Sequence, residues 1–190
     1  MKTVKMILVI ALSIVTQIEL SSQTKWEREY RAGIKNIPAP AKKYLNSFPE
    51  PRRLKWYAEE SDDGKTFEAK FIFNGLKHSI EFDSIGNLLD IEIAIDYNLL
   101  SHNFIRQFDK NLLTRFTGYK VIKVQKHIKG DDFTITGLYE NPAELHVQYE
   151  IVVRGYFQKK YRLYEIMADS VGSILTIEEI VLKNTDNLEY

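Results

Sequence analysis

Seven residues recur in this chain almost intact. Asp83-Ser84-Ile85-Gly86-Asn87-Leu88-Leu89 returns as Asp169-Ser170-Val171-Gly172-Ser173-Ile174-Leu175, each exchange conservative in size or polarity. Both copies separate two runs in which apolar and polar residues alternate. The phrase has the chemistry of a hairpin turn: Asp and Ser side chains bond the turn's own backbone, Gly accepts positive φ, and the following apolar pair restarts a strand. Because similar flanks recur with it, the phrase predicts a duplicated structural unit and not one isolated turn.

In the first unit, Trp26, Tyr30 and Ile34 fit a helical spacing, while Trp26, Arg28 and Tyr30 fit strand alternation equally well, and the two readings stay open. Pro38 and Pro40 suit a helix start, where a missing N–H costs nothing, and place Ile37, Ala41, Tyr44, Leu45 and Phe48 on one face. Four period-two runs follow. Leu54, Trp56 and Ala58 lead to a turn at Ser61-Asp62-Asp63-Gly64. Phe67, Ala69, Phe71 and Phe73 share a face, as do Leu76, His78, Ile80 and Phe82 beyond Asn74-Gly75. After the recurring turn, Leu89, Ile91, Ile93 and Ile95 point inward, with Asp90, Glu92 and Asp96 outward. Such alternation predicts an antiparallel meander with one apolar face against the helix and one wet face.

The second unit opens on the clearest helical spacing, Phe104, Ile105, Phe108, Leu112 and Phe116, with Ser101 as a cap and Gly118 as a stop. A strand over 119–128 then sets Ile122, Val124 and Ile128 on one side. Residues 129–144 are irregular. Leu145, Val147, Tyr149, Ile151 and Val153 resume the alternation, and Ile151-Val152-Val153-Arg154-Gly155 matches Phe71-Ile72-Phe73-Asn74-Gly75, leaving six extra residues around Tyr156 to Lys160. Leu175, Ile177, Ile180 and Leu182 form the last strand, with a bulge expected at Glu178-Glu179. The expected division is therefore a signal peptide over 1–23, a first α/β repeat over 24–97, a second over 98–183, and a polar tail over 184–190.

The signal-peptide assignment rests on Lys2 and Lys5 ahead of an apolar run from Met6 to Val15, too short to span a bilayer, and a polar Ser21-Ser22-Gln23 segment. An uncleaved anchor is the alternative. With 26 basic and 26 acidic residues the chain is neutral, and nothing global steers it to nucleic acid. The absence of cysteine removes disulfides, thiolate-bound zinc and thiol catalysis together.

A leader, no cysteine, and two copies of a helix plus antiparallel meander closing on Asp-x-x-Gly-x-hydrophobic resemble the PepSY-like family of secreted Bacteroidetes proteins. The β-lactamase-inhibitor-protein fold is similar. Phe67 to Phe73, Ile80 to Leu89, Ile151 to Gly155 and Ile166 to Leu175 carry the match. The resemblance implies an α+β fold of two tandem repeats, each a helix plus a four-stranded antiparallel meander. Their strands would join in one curved sheet with helices on one face and an open face for partners. The long 129–144 stretch and the extra residues before Tyr161 depart from the pattern. The resemblance carries over no catalytic residue.

Motif by motif, enzymatic chemistry finds little support. His78, His102, His127 and His146 lack metal-ligand spacing, and no nucleophile elbow, phosphate loop or dinucleotide fingerprint is present. Asp62-Asp63, Asp131-Asp132 and Asp90/Glu92 fall at turns or on outward faces, without the twelve-residue calcium pattern. No catalytic residue, cofactor or metal is therefore assigned, and a hydrolase has no motif behind it. One surface has the composition of an interface: Arg154, Tyr156, Phe157, Tyr161 and Arg162, flanked by Lys159, Lys160 and Tyr164. The plainer alternative is a hairpin whose Tyr164 and Ile166 enter the core while Lys160 and Arg162 are solvated. The functional expectation is a periplasmic or secreted, non-enzymatic protein-binding or inhibitor-like module. Its partner would be an envelope or extracellular protein, with no nucleic acid and no membrane span after cleavage. The alternative is a carrier of a small apolar ligand, its groove lined by Phe71, Phe73, Phe104 and Phe108.

Overall fold

A computed structural model describes residues 23–25, 27–46, 48, 50–62, 64–129 and 147–180. The expected signal peptide apart from Gln23, the tail, Trp26, Asp63, Leu145, His146, Leu182 and nearly all of the 129–144 stretch lie outside them. In chain order the elements are β1 (Gln23–Lys25), β2 (Glu27–Arg31), a 3-10 turn (Ile34–Asn36), α1 (Ala39–Leu45), β3 (Arg52–Ser61), β4 (Gly64–Phe73), β5 (Leu76–Phe82) and β6 (Leu88–Ala94). A second 3-10 turn (Tyr97–Leu99) leads to α2 (His102–Arg115), β7 (Gly118–Lys129), β8 (Val147–Phe157), β9 (Lys160–Ala168) and β10 (Ile174–Ile180). The undecided stretch around Tyr30 is thus strand, paired with β3 through Tyr30 and Ala58.

The strands form one sheet in the order β1-β10-β9-β8-β7-β6-β5-β4-β3-β2, antiparallel throughout except where β1 runs parallel to β10. The fold is α+β. Pro38 caps α1 and Pro40 sits in its first turn, where no intrahelical N–H is needed. Ser101 Oγ accepts the Phe104 amide at 3.1 Å and starts α2.

Both recurring phrases fold alike. Asp83 Oδ1 accepts the amides of Ile85, Gly86 and Asn87, and Asp169 Oδ1 accepts those of Val171 and Ser173. Backbone bonds close each turn in the same pattern, Asp83 with Asn87 and Asp169 with Ser173. Gly86 and Gly172 have φ of +96° and +88°. Each glycine also abuts a helix: Gly86 meets the start of α1 at Pro38 and Ala41, and Gly172 meets the Phe104 carbonyl of α2.

Two apolar cores lie on the helix-bearing face. The first gathers Ile37, Ala41, Leu45 and Phe48 with Trp56, Phe67, Phe71, Ile80, Phe82, Ile91 and Ile93. The second gathers Phe104, Phe108, Leu112 and Phe116 with Val124, Ile151, Val153, Tyr164, Ile166 and Ile177. They are not sealed from each other: Ile128 of β7 packs in the first, and Ile95, just past β6, packs against the second.

Register irregularities correct several sequence expectations. Between Glu81 and Phe82 the ladder slips, so Leu88 pairs with Phe82 and packs inward while Leu89 is exposed. A second slip, between Val121 and Lys123, turns Ile122 out to 42% exposure and lets Tyr119 and Val121 face the second core. Leu76, expected inward, is exposed beside the Asn74-Gly75 turn. The bulge expected at Glu178-Glu179 lies instead between Ile174 and Thr176, and the two glutamates pair regularly with Glu165 and Tyr164. Gly155 does not correspond to Gly75, because it lies inside β8 opposite Tyr119 and Arg162, against the Phe116 ring. The tight turn is Gln158-Lys159, with φ of +48° and +63°, so the extra residues lengthen both hairpin arms.

A fourth slip, between Arg52 and Lys55, completes a set of bulges that bend the sheet. The bend is large. One residue separates β1 from β2, yet Lys25 pairs with Ile180 at one end of the sheet and Glu27 with Ser61 at the other. With ~3.3 Å per residue and ~5 Å per strand pair, those ends lie within about 17 Å, whereas a flat sheet from β3 to β10 spans about 34 Å. The sheet therefore curls, and the buried polar side chains opposite the helices, Ser79, Gln125, His127 and Glu150, place its concave side on that face.

Candidate functional site

The concave face is built from the polar positions of the period-two strands. Its first patch joins β2, β4 and β5. Lys70 Nζ lies 2.6 Å from Glu29 and 2.9 Å from Glu68, and it sits 4.9 Å from the Tyr57 ring centre, with Arg31 on the same ring. Ser79 donates to Glu68. Glu29 and Lys70 are two strands apart, a reach that curvature shortens. Burial raises Glu68, and the flanking Glu68 and Glu29 carboxylates outweigh burial in holding Lys70 above its ordinary range. Lys70, Glu29, Glu68 and Ser79 satisfy one another, which marks a structural network.

The second patch lies on β6, β7 and β8. Gln125 Nε2 donates to Glu92 Oε2 at 2.7 Å, Lys123 lies 3.1 Å from Glu150, and His127 Nε2 lies 3.3 Å from Asp90 Oδ2. Glu92 and Glu150, from strands separated by β7, share a hydrogen bond. Gln125, His127 and Glu150 are 8%, 5% and 9% exposed, although both helices lie on the other face. Two atoms here have no partner, Gln125 Oε1 and His127 Nδ1. Sequence alternation put Asp90 and Glu92 on an outward wet face; the alternation is right, but curvature encloses that face.

This enclosure has a measurable consequence. Burial, and then the neighbouring Glu150 carboxyl, push Glu92 well above the ordinary glutamate range. A carboxyl raised in the folded state binds its proton more tightly folded than unfolded. Its contribution to stability is therefore fully present below the unfolded value, about 4.3, and is lost as pH rises through the folded value. Glu92→Gln keeps the shape and removes the ionisation. Its melting temperature is expected to exceed the parent's by about 2–4 °C at the alkaline end of a scan from about pH 5 to 8 and to match it at the acid end. Parallel profiles across that range would contradict a buried, proton-retaining Glu92.

The hairpin between β8 and β9 carries the interface residues expected from sequence. Tyr156 and Tyr161 are register partners with ring centres 4.7 Å apart, and the Arg154 guanidinium lies 5.6 Å from the Tyr161 ring centre. Tyr161 is 69% exposed. Strand alternation puts these three on the concave side. Phe157 and Arg162 fall on the opposite side, and Arg162 is bound to Glu179 at 2.7 Å. The five residues thus divide into an aromatic–cation cluster and two residues facing away from it.

The four phenylalanines expected to line one carrier groove are divided between the two cores. Phe71 and Phe73 belong to the first core, where Phe48 packs edge-on against both, while Phe104 and Phe108 stack on each other in the second. His78 stacks on Phe71, with Nδ1 3.0 Å from the Leu76 carbonyl, and burial lowers its pKa. His102 is exposed at the start of α2. Among the described residues no group of three His, Cys, Asp or Glu is placed to hold a metal. A further polar knot, Asp109 accepting from Tyr97 at 2.6 Å and Tyr119 at 2.5 Å, ties α2 to the sheet. Burial and then that carboxylate raise both phenols.

No family model matches the chain, and no curated protein matches it. Solved structures do. A Bacteroides eggerthii protein provisionally described as periplasmic superposes with a TM-score of 0.53 at 14% identity, over 75% of this chain and 88% of that one. A DUF2874 family protein from Bacteroides ovatus gives 0.52 at 15%, over 75% and 87%. A BLIP-like protein from Bacteroides fragilis gives 0.50 at 14%, over 80% and 94%. At such identities the likeness concerns the fold, which is BLIP-like. Among the described residues no helix is long and apolar enough to cross a membrane.

Proposed function

We propose that this chain is an exported, non-enzymatic protein-binding module of inhibitor-like character, PepSY-like in kind, that grips an envelope or extracellular protein in the periplasm or outside the cell. In this reading residues 1–23 are removed, 24–97 and 98–183 are tandem copies of one α/β repeat, and 184–190 is a polar tail. The equal environments of Gly86 and Gly172, each pressed on the helix of its own half, support the duplication.

The observation that carries the binding reading is the rim of the β8–β9 hairpin. The Tyr156 and Tyr161 rings lie tilted against each other, capped by Arg154, with Tyr161 exposed and Tyr156 half-buried, whereas many of the other aromatic side chains fill the cores. Tyrosine and arginine dominate interface hot spots because they bring large, rigid contact area with a polar end. In this reading Phe157 and Arg162 extend the surface around the hairpin end. The neighbours of similar fold include a protein described as periplasmic and one described as BLIP-like, which is the kind of role proposed here.

The test is capture from the envelope fraction of the producing cell. Tyr156→Ala with Tyr161→Ala is expected to lower recovery of the captured protein at least about tenfold, the loss of about 1.4 kcal/mol or more that a hot spot carries. The melting temperature should fall by only a few degrees, because Tyr161 is exposed and Tyr156 half-buried, outside both cores. Undiminished recovery would remove this surface from consideration.

A further inference from the structure

We infer that the β8–β9 hairpin receives a carboxylate-rich segment of a protein partner, held by Lys120, Arg154, Lys159 and Lys160 around the Tyr161 ring. The inference rests on the binding reading above and names the chemistry of what is bound.

A pairing that costs energy comes first. Lys120 of β7 and Arg154 of β8 are direct register partners, so their side chains share the concave side, and both are exposed. Like charges directly opposite one another destabilise a sheet. The first half contains a similar pair, Lys55 opposite Lys70, but there Lys70 is bound by Glu29 and Glu68. Among the described residues no carboxylate pairs with Lys120 or Arg154. The turn that follows adds Lys159 and Lys160, both exposed and also without an acidic partner among those residues. Four cations thus surround Tyr161, which is 69% exposed and has the Arg154 guanidinium 5.6 Å from its ring centre.

The excess survives a count of the neighbours. Lys123 is taken by Glu150 and Arg162 by Glu179, and Arg115 has contacts of its own. Asp96 accepts from Asn98, and Asp109 accepts from Tyr97 and Tyr119. Glu178 lies opposite Glu165, two residues before Ile180, which is the partner of Leu163. Glu92 is enclosed with Gln125 and Glu150, and Asp90 is the partner of Lys129 at the far end of β7. In the first half Lys55 and Lys70 offset Glu29 and Glu68, while Arg52, Arg53 and Lys77 outnumber Glu50, so no acidic excess reaches this end. Lys183, Asp186 and Glu189 of the tail lie outside the described residues and enter the experiment below. The chain is neutral overall, so this positive charge is local.

Shape selects among anions. A bilayer is flat on this scale and would meet the tip, Phe157 to Lys160, but not Lys120 and Arg154, which face the concave side. A protein segment can enter that side, reach the bases and cover the Tyr161 ring, the combination of aromatic and arginine that anchors interfaces. Attraction of this kind steers association and weakens with salt.

The experiment is fluorescence anisotropy of a short labelled peptide of Asp, Glu, Ser and Gly titrated with the full chain. The same peptide with Asn and Gln, and vesicles of phosphatidylglycerol and phosphatidylcholine, are run beside it. Binding of the acidic peptide and none of the amide peptide is expected. Raising ionic strength from about 0.01 to 0.15 M shortens the screening length from ~30 to ~8 Å and should weaken binding at least about threefold. Lys120→Gln with Arg154→Gln is expected to weaken it at least about fivefold. Lys120→Gln alone should weaken it about two- to fivefold with a melting temperature no lower than the parent's, because it relieves the repulsion. Asp186→Asn with Glu189→Gln should leave binding unchanged; a gain of about fivefold or more would make the chain's own tail the occupant and overturn the assignment to a partner. Equal binding of both peptides, or binding indifferent to Lys120 and Arg154, also overturns it. So do vesicles that bind while the acidic peptide does not, which would assign the tip to lipid headgroups. If envelope capture depends on Tyr156 and Tyr161 but not on salt, Lys120 or Arg154, only this inference falls. If the acidic peptide binds through both bases while capture ignores the tyrosines, the capture reading falls and the cationic site stands.

Discussion

Gly172→Ala is expected to cost about 2–5 kcal/mol in equilibrium urea unfolding, a large part of the roughly 5–15 kcal/mol that holds a domain together. Two effects add. The φ of +88° is one that an L side chain adopts only with strain, and the new Cβ would stand 2.5 Å from the Phe104 carbonyl oxygen. A flexible side chain could move aside; backbone in the first turn of α2 cannot do so without tilting the helix. Gly75→Ala provides the internal control. Its φ is +78°, but nothing lies within 4 Å of the added Cβ, so it loses only the conformational part, about 1 kcal/mol. Gly86→Ala should fall between them, because the Pro38 Cβ at 2.8 Å and the Ala41 amide at 3.0 Å crowd it less severely. If Gly172→Ala costs no more than Gly75→Ala, the turn does not brace α2, and the close seating of turn on helix loses its energetic meaning.

The recurring phrase was readable because turn chemistry is local: an Asp that binds three successive amides and a Gly at positive φ need only their own neighbours. Local, too, are the α2 stripe of Phe104, Phe108 and Leu112 and the alternation of Phe67, Ala69 and Phe71, all of which lie in the cores. The misplacements have a common cause. A bulge inserts one residue without changing composition, so Leu89 and Ile122 satisfied the pattern on paper while Leu88 and Val121 occupy the core. Gly155 resembled Gly75 in sequence, yet its lack of a Cβ serves the Phe116 ring and not a turn. The polar patch was half legible. Alternation placed Glu92 on the polar face, but whether that face meets water depends on how far the sheet curls. That follows from the four slips together and from β1 and β2 lying at opposite ends, neither visible in a window of a few residues.

Phe108→Ala removes a fully buried ring that stacks on Phe104 at 5.7 Å and approaches Tyr97, and it is expected to cost about 3–5 kcal/mol. The more informative question is where that loss is felt. If the halves were independent units, the damage would stay in the second core. Continuous pairing of β6 with β7, with Ile128 of β7 seated in the first core and Ile95 packed on the second, argues that neither core opens without the other. Trp56 lies in the first core and so reports from a distance. In a Trp26→Phe background, the fluorescence transition of Trp56 in the Phe108→Ala variant is expected to move to lower urea together with the far-ultraviolet dichroism, as one transition of unchanged slope. A Trp56 transition that stays at the parent midpoint while the dichroism splits in two would mean that the sheet joins the halves in geometry but not in energy.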